Sequence, residues 1–313
     1  MSGKVLITCR QMQSCLDQFR DRIESAGYEI VAPEIERQQL SEAELSAIIG
    51  EFEGIIAGDD PLTAEVLSHA GRMRVISKWG VGTDGIDFAA AAERGIVVTN
   101  TPGAFGDDVA DVAAGYMVML ARQLHVIHQS IVDGGWHKHE GRRLAGSTLG
   151  VVGFGSIGQA IGRRGIGFGM GVLAQDANPN LDGAAREIGA KMVDIDTLLS
   201  SSDFIALAAP LLPETRHIIN DRAFGLMKPG VFLINVSRGP LVDEAALLKA
   251  LDSGKVVAAA LDVFEIEPLP LESELRRFEQ CVFGSHNGSF TREGTLAASA
   301  RAVDNLLREL SAA

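Results

Sequence analysis

Positive charge is in short supply in this sequence. Lys and Arg number 28 against 41 Asp and Glu, a formal charge of −13 with a pI near 5.0. Nucleic acid and anionic membrane surfaces attract the opposite sign, so neither is an expected partner and small-molecule chemistry is favoured. Cysteine is scarce too: Cys9, Cys15 and Cys281 form neither a CxxC pair nor an even set. That argues against a disulfide framework and a zinc site, and for a reducing, cytoplasmic setting. His125 and His128, and the run "HKHE" at 137–140, have ligand-like spacing but lack a third convergent ligand, so no metal is expected. Long apolar runs are missing. The longest lies within "DVAAGYMVMLA" at 111–121, too short to cross a bilayer. The opening "MSGKVLITCR" enters a strand-like run directly, without the basic region and long apolar core of a leader.

What is present is a rhythm. A chain of 313 residues, 46% of them hydrophobic, exceeds the size at which one core keeps growing, and two domains are expected. Short β-branched runs, "KVLIT", "YEIV", "GIIAG", "RVIS" and "GIVVT", alternate with helical stretches over the first hundred residues. Ser41 and Glu44 stand at capping-box spacing and mark one helix start. A second series follows: "LGVVG", "GVLAQ", "FIALAAP", "VFLINV", "VVAAALDV" and "CVFGS". Near-continuous apolar strands of this kind suit a parallel sheet covered on both faces.

The second series opens on a glycine pattern. Gly153, Gly155 and Gly158 form G-x-G-x-x-G directly after an apolar strand and before a helical stretch. In that context glycines permit a tight turn, and a pyrophosphate rests on the amino end of the helix. Asp176 follows by roughly twenty residues, at the end of the next strand, where an acid binds the ribose hydroxyls of a dinucleotide. No Lys or Arg occurs from 177 to 185, so a 2′-phosphate would meet a carboxylate alone. The cofactor read from this is NAD rather than NADP.

Later strands of the same series each end on a polar residue: Arg238 in "NVSRGPLVDE", Glu267 in "LDVFEIEP" and His286 in "GSHNGS". Ligands of open α/β sheets bind at such strand ends. A cation for a carboxylate, an imidazole for proton transfer and an acid to orient it make a set suited to carbonyl reduction.

With these residues the chain resembles the D-isomer-specific 2-hydroxyacid dehydrogenase family, in particular its phosphoglycerate dehydrogenase-like branch. The resemblance runs through "SKWGVGTDGID", "VVTNTPGAFGDDVAD", "GVVGFGSIG", "PLLPETRHIIN", "INVSRGPLVDE", "ALDVFEIEP" and "SHNGS", nearly the whole length. It implies an α/β fold of two βαβ domains, a Rossmann-type NAD-binding domain at 101–286 inserted into a flavodoxin-like substrate-binding domain at 1–100 that is completed by 287–313. It implies an NAD-dependent oxidoreductase interconverting a 2-keto acid and a D-2-hydroxy acid, of the 3-phosphoglycerate, glyoxylate or hydroxypyruvate type, and working as a homodimer. Arg238 would hold the substrate carboxylate and keto oxygen, and His286 would give the proton. Glu267, immediately before Pro268, would accept from the imidazole and favour its charged form. Val81 and Gly82 would offer N–H groups to the substrate, with Lys78 nearby. Ser156, Ile157, Gly158, Pro210, Val236, Asp262 and Gly288 would line the cofactor, Asp262 as the acid for its carboxamide. The same scaffold also serves corepressor-like dinucleotide sensors and dehydrogenases of the formate or phosphite type.

Departures from the pattern are visible. Ala208 and Leu212 stand where relatives commonly have His and Thr, and Asp111 replaces a more usual Glu. Asp59 and Asp60 fall where phosphoglycerate dehydrogenases often carry a basic residue, and would repel a phosphate. Lys78 can compensate there, although a strand-end lysine more often faces solvent.

Overall fold

The computed structural model describes residues 3–35 and 37–312, so the ends of the expected first domain, at Met1, Ser2 and Ala313, lie outside the described residues, as does Glu36. The chain divides into two units, Met1–Phe105 with Phe290–Ala313, and Gly106–Ser289.

The first unit holds β1 (Gly3–Ile7), β2 (Tyr28–Val31), β3 (Gly54–Ala57), β4 (Val75–Lys78) and β5 (Val97–Thr99). They pair in parallel in the order β2-β1-β3-β4-β5, the flavodoxin-like arrangement. β3 and β4 are buried throughout, because helices cover the sheet. One of these is Glu42–Ile48, whose amino end is closed by the Ser41–Glu44 capping box read from the sequence. Another is the chain's last helix, Arg292–Ser311. Ser77 Oγ donates to Ala302 O at 2.8 Å and Trp79 Nε1 to Ser299 Oγ at 3.0 Å, which ties that helix to β4 and its following loop.

The second unit holds β6 (Thr148–Val152), β7 (Gly171–Gln175), β8 (Lys191–Met192), β9 (Phe204–Leu207), β10 (Val231–Asn235), β11 (Val256–Leu261) and β12 (Val282–Phe283). All are parallel, in the order β12-β11-β10-β9-β6-β7-β8. This is the doubly wound order, in which strand succession reverses at β6 and β9, the place where such sheets take ligands. β9 and β10 are buried along their length, and Phe204 stacks on Phe232 with ring centroids 4.5 Å apart. Helix Gly106–Arg122 lies along helix Ser156–Gly167, and Arg164 clamps the two by donating to Asp107 at 3.1 Å and to Asp111 at 2.7 Å. Among the described residues no helix is long and apolar enough to cross a membrane.

The division falls at 105/106 and 289/290, a few residues beyond the expected 100/101 and 286/287. Local bonding accounts for both shifts. Thr101 N donates to Gly80 O at 3.0 Å, and Phe105 packs on Trp79 with centroids 5.1 Å apart, which keeps 101–105 with the first unit. Asn287 N and Gly288 N donate to Asp262, which keeps them with the second.

Candidate active site

The turn after β6 shows why each glycine stands where it does. Gly153 has φ +87°, and a Cβ there would lie 2.4 Å from Ala209 N, so a side chain is barred by conformation and by the β9 loop together. A Cβ on Gly158 would lie 2.0 Å from Gly153 O, so that residue sets how closely the helix approaches the strand. Gly155 differs: a Cβ there meets nothing within 4 Å. It is the N-cap of helix Ser156–Gly167 and, being glycine, brings no capping side chain to the first-turn N–H groups of Ser156, Ile157 and Gly158. Open room beside such donors suits a pyrophosphate. Asp176 is drawn to the same turn, accepting from Phe154 N at 2.6 Å and from Asn178 N at 2.8 Å. Pro210 follows the Ala208–Ala209 backbone that abuts Gly153, and Val236 is buried at the end of β10 beside it.

The adjacent strands β10, β11 and β12 deliver the other residues. After β10, Asn235 folds back on its own turn: its Oδ1 accepts from Ser237 N at 3.1 Å, and its Nδ2 donates to Arg238 O at 2.9 Å. Asx turns of this kind are a way to aim the residue that follows a strand. A Cβ on Gly239 would lie 1.9 Å from Phe264 C, so the Arg238 turn touches the loop that carries Glu267. On that loop Glu267 Oε1 accepts from Phe264 N at 3.0 Å, and Oε2 meets His286 Nδ1 at 2.8 Å. A carboxylate only accepts, so Nδ1 is the donor and the tautomer is set. Nε2 is the ring position that can exchange a proton with a substrate. Glu265, two residues earlier, is bonded instead to His217 Nε2 at 2.7 Å.

His286 has φ +56°, the left-handed region, which costs a residue other than glycine roughly 1–2 kcal/mol. Asp262 offsets that strain. Its main-chain oxygen accepts from His286 N at 2.7 Å, Oδ1 from Asn287 N at 3.2 Å and Oδ2 from Gly288 N at 2.8 Å. Three successive N–H groups thus wrap one aspartate, in the manner of a backbone nest. Asp262 and Gly288, expected to line a cofactor, are first of all the foundation of the histidine turn. Tyr116 Oη also donates to Asp262 Oδ1, at 3.2 Å. Nothing in the sequence pointed to Tyr116, whereas the "NVSR" turn chemistry at Asn235 was readable and was missed.

In the first unit, Lys78, expected as a substrate contact, does not face solvent. It is 5% exposed, and its Nζ donates to Asp59 Oδ1 at 3.1 Å and to Trp79 O at 2.7 Å. The ammonium lies under the following loop, 3.0 Å from where a Gly80 Cβ would be. Val81 and Gly82 continue that loop, which is fastened by Asn100 Nδ2 donating to Val81 O at 2.8 Å. Asp60 is not a surface charge either. It is buried, accepting from Thr8 Oγ1, Gly58 N and Leu40 N, and burial raises its carboxyl above the ordinary range.

A doubly wound sheet, a glycine turn with its acid and a His–Glu pair beside an arginine are the parts of a dinucleotide-linked dehydrogenase. Comparison with known proteins narrows the class. The profile of the family described as D-isomer specific 2-hydroxyacid dehydrogenase, NAD binding domain, matches residues 114–288. A hydroxypyruvate reductase from Thermotoga maritima is 39% identical over 285 residues, 88% of this chain and 91% of that protein. A glyoxylate reductase from Thermococcus litoralis is 42% identical over 257 residues, 79% of this chain and 77% of that protein. The crystal structure of the TT0316 protein from Thermus thermophilus superposes with a TM-score of 0.87 at 34% identity, covering 99% of this chain and 97% of that one. The chain belongs to the D-isomer-specific 2-hydroxyacid dehydrogenase family. It is accordingly an NAD-dependent oxidoreductase acting on the CH–OH group of 2-hydroxy acids.

Proposed function

We propose that the chain reduces small 2-keto acids without a charged tail, of the glyoxylate and hydroxypyruvate kind, to D-2-hydroxy acids. The observation that carries the chemistry is the 2.8 Å bond between His286 Nδ1 and Glu267 Oε2 at the ends of neighbouring strands, beside the Arg238 turn. Arg238 binds the substrate carboxylate and polarises the keto oxygen. His286 donates the Nε2 proton to that oxygen as it becomes an alkoxide, and Glu267 steadies the ring in its charged form. Bound NADH supplies the hydride. Gly153, Gly155, Ser156, Ile157 and Gly158 hold the pyrophosphate and Asp176 the ribose, with Pro210, Val236, Asp262 and Gly288 around the nicotinamide end. Val81, Gly82 and Lys78 are the first unit's candidates for substrate contact.

Two observations favour the uncharged tail over 3-phosphoglycerate. Relatives named hydroxypyruvate reductase and glyoxylate reductase align over most of their own length. The Lys78 charge is matched by Asp59, so this pair brings no net positive charge to a phosphate. A panel of glyoxylate, hydroxypyruvate and phosphohydroxypyruvate with NADH, followed at the nicotinamide absorbance, is expected to give the first two at least about tenfold higher kcat/KM, the worth of roughly 1.4 kcal/mol of uncompensated charge. Preference for the phosphorylated acid would reverse the substrate reading. Turnover of none would move the chain to the corepressor-like sensors.

We infer a homodimer as the working form, in a reducing, cytoplasmic compartment. Helix Leu124–Val132 has no buried residue although it is apolar; its last residue, Val132, is 63% exposed, and beyond it Trp136 is 80% exposed. Apolar surface of that kind marks an interaction site. The cysteines are free, and burial pushes the Cys9 thiol up to about 12 and the Cys281 thiol up to about 11, which keeps both protonated and unreactive. Sedimentation is expected to give a dimer at micromolar concentration, and Trp136→Glu to raise the monomer fraction. A wild-type monomer under those conditions would refute the assembly.

A further inference from the structure

We propose that Tyr116 is a positioning residue for the reduction, acting through the carboxylate of Asp262 on the backbone turn that presents His286. The inference rests on the reading of His286 as the proton donor and adds a residue on a different element. The phenol comes from helix Gly106–Arg122 and ends 3.2 Å from Asp262 Oδ1. It reaches that oxygen because residue 284 has no side chain: a Cβ on Gly284 would lie 2.4 Å from Tyr116 Oη and 2.1 Å from Asp262 Oδ1. The absent side chain, the phenol and the carboxylate form one matched set.

The hydrogen-bond arithmetic explains what the phenol adds. Oδ1 of Asp262 is shared between Tyr116 Oη and Asn287 N, while Oδ2 takes Gly288 N. The carboxylate is therefore gripped from the helix on one side and from the histidine turn on the other, and it cannot rotate without losing one partner. Burial, joined by the negative charge of Asp262, raises the phenol above its ordinary range, so it stays a donor across the working pH. Without the hydroxyl the carboxylate keeps, among its hydrogen-bond partners in the described residues, those of the turn it is meant to hold. The turn that fixes the left-handed conformation of His286 then closes on a carboxylate with one anchor fewer. A small tilt of the ring lengthens the path of the proton from Nε2, and proton transfer is sensitive to heavy-atom distances of a few tenths of an ångström.

The test is Tyr116→Phe, which keeps the ring and removes one oxygen. Amide hydrogen exchange of the wild-type and variant proteins, read for the segment 284–290, needs no substrate. Exchange there is expected to quicken about tenfold, as befits the loss of one hydrogen bond to a charged group, with the rest of the second unit unchanged. In steady state kcat for keto-acid reduction is expected to fall about five- to tenfold, with KM for the acid and Kd for NADH within about twofold, since the substrate and cofactor contacts are left in place. Unchanged exchange at 284–290 overturns the proposal, as does faster exchange with kcat intact. Loss of protection across the whole unit makes Tyr116 a packing residue and also overturns it. A weaker NADH affinity with unchanged exchange assigns the phenol to the cofactor and overturns it too. Failure of the wild type to reduce any keto acid would overturn both the proposal and the dehydrogenase reading beneath it, whereas wild-type turnover with an indifferent variant removes the proposal alone.

Discussion

His286→Ala is expected to lower kcat for keto-acid reduction by a factor of about 10² to 10⁴, the range for losing a positioned general acid. The side chain is held by Glu267 on Nδ1, so alanine removes the imidazole assigned to deliver the proton through Nε2. NADH binding should persist, because the glycine turn and Asp176 lie on other strands. Glu267→Gln tests the pair in a different way. Reduction requires the ring protonated, and an adjacent negative charge favours that form. Removing the charge lets the ring lose its proton at lower pH, so the alkaline limb of the reduction profile should move to lower pH. The oxidation profile, which requires the neutral ring, should extend to lower pH by the same amount. Both carboxylate oxygens of Glu267 accept, one from His286 and one from Phe264 N, whereas an amide has a single acceptor. Some loss of kcat should therefore accompany the shift. A pH profile that stays in place would mean that Glu267 does not govern protonation, and Glu265, bonded to His217, would be the next residue to change.

The two sheets were legible because their strands are apolar almost without interruption: "FIAL" and "VFLIN", short and spaced by helical stretches, suit the inside of a covered sheet. β8 escaped because it is two residues long, pairs with β7 alone and begins on an exposed lysine, so neither periodicity nor composition marks it. The glycine turn was legible for the opposite reason: each of its glycines answers to a different local demand, a positive φ, an open approach or a helix lying on a strand. What sequence could not show was the environment of charged groups. Lys78 and Asp60 look like surface residues in one dimension, and each is buried because a partner arrives from a neighbouring element, Asp59 for the lysine, Thr8 and Leu40 for the aspartate. Glu265 and Glu267 pose the same difficulty. They are two residues apart on a loop, and only their distances to His217 and His286 separate their roles. Tyr116 is the extreme case, since its partner lies on another element and the space it uses is the missing side chain of Gly284.

Arg238→Lys is expected to cut kcat/KM for the keto acid roughly 10- to 150-fold, chiefly through KM, because it gives up a charge-assisted bond worth about 1.5–3 kcal/mol while keeping the charge. The backbone beneath the side chain is unusually well specified. Asn235 grips the turn from one side, and on the other Gly239 lies against Phe264 with no room for a Cβ. Nη1 donates to Ser237 O at 2.9 Å, which orients the guanidinium plane. A lysine on this turn would present a single point donor on a flexible stem, able to attract a carboxylate but unable to hold its two oxygens in one plane or to reach the keto oxygen as well. The loss should fall on acids with the 2-keto carboxylate and on unreactive analogues that share it, measured as inhibition constants, while NADH affinity stays within about twofold because no cofactor contact is removed. Such a pattern separates a lost recognition group from a disturbed fold: disturbance of the turn would press on Phe264 and hence on Glu267, and would appear as a drop in kcat with a displaced pH profile. If KM and the inhibition constants were indifferent to lysine at 238, the carboxylate would have to be held elsewhere, and the first unit's loop at Val81 and Gly82 would become the site to change.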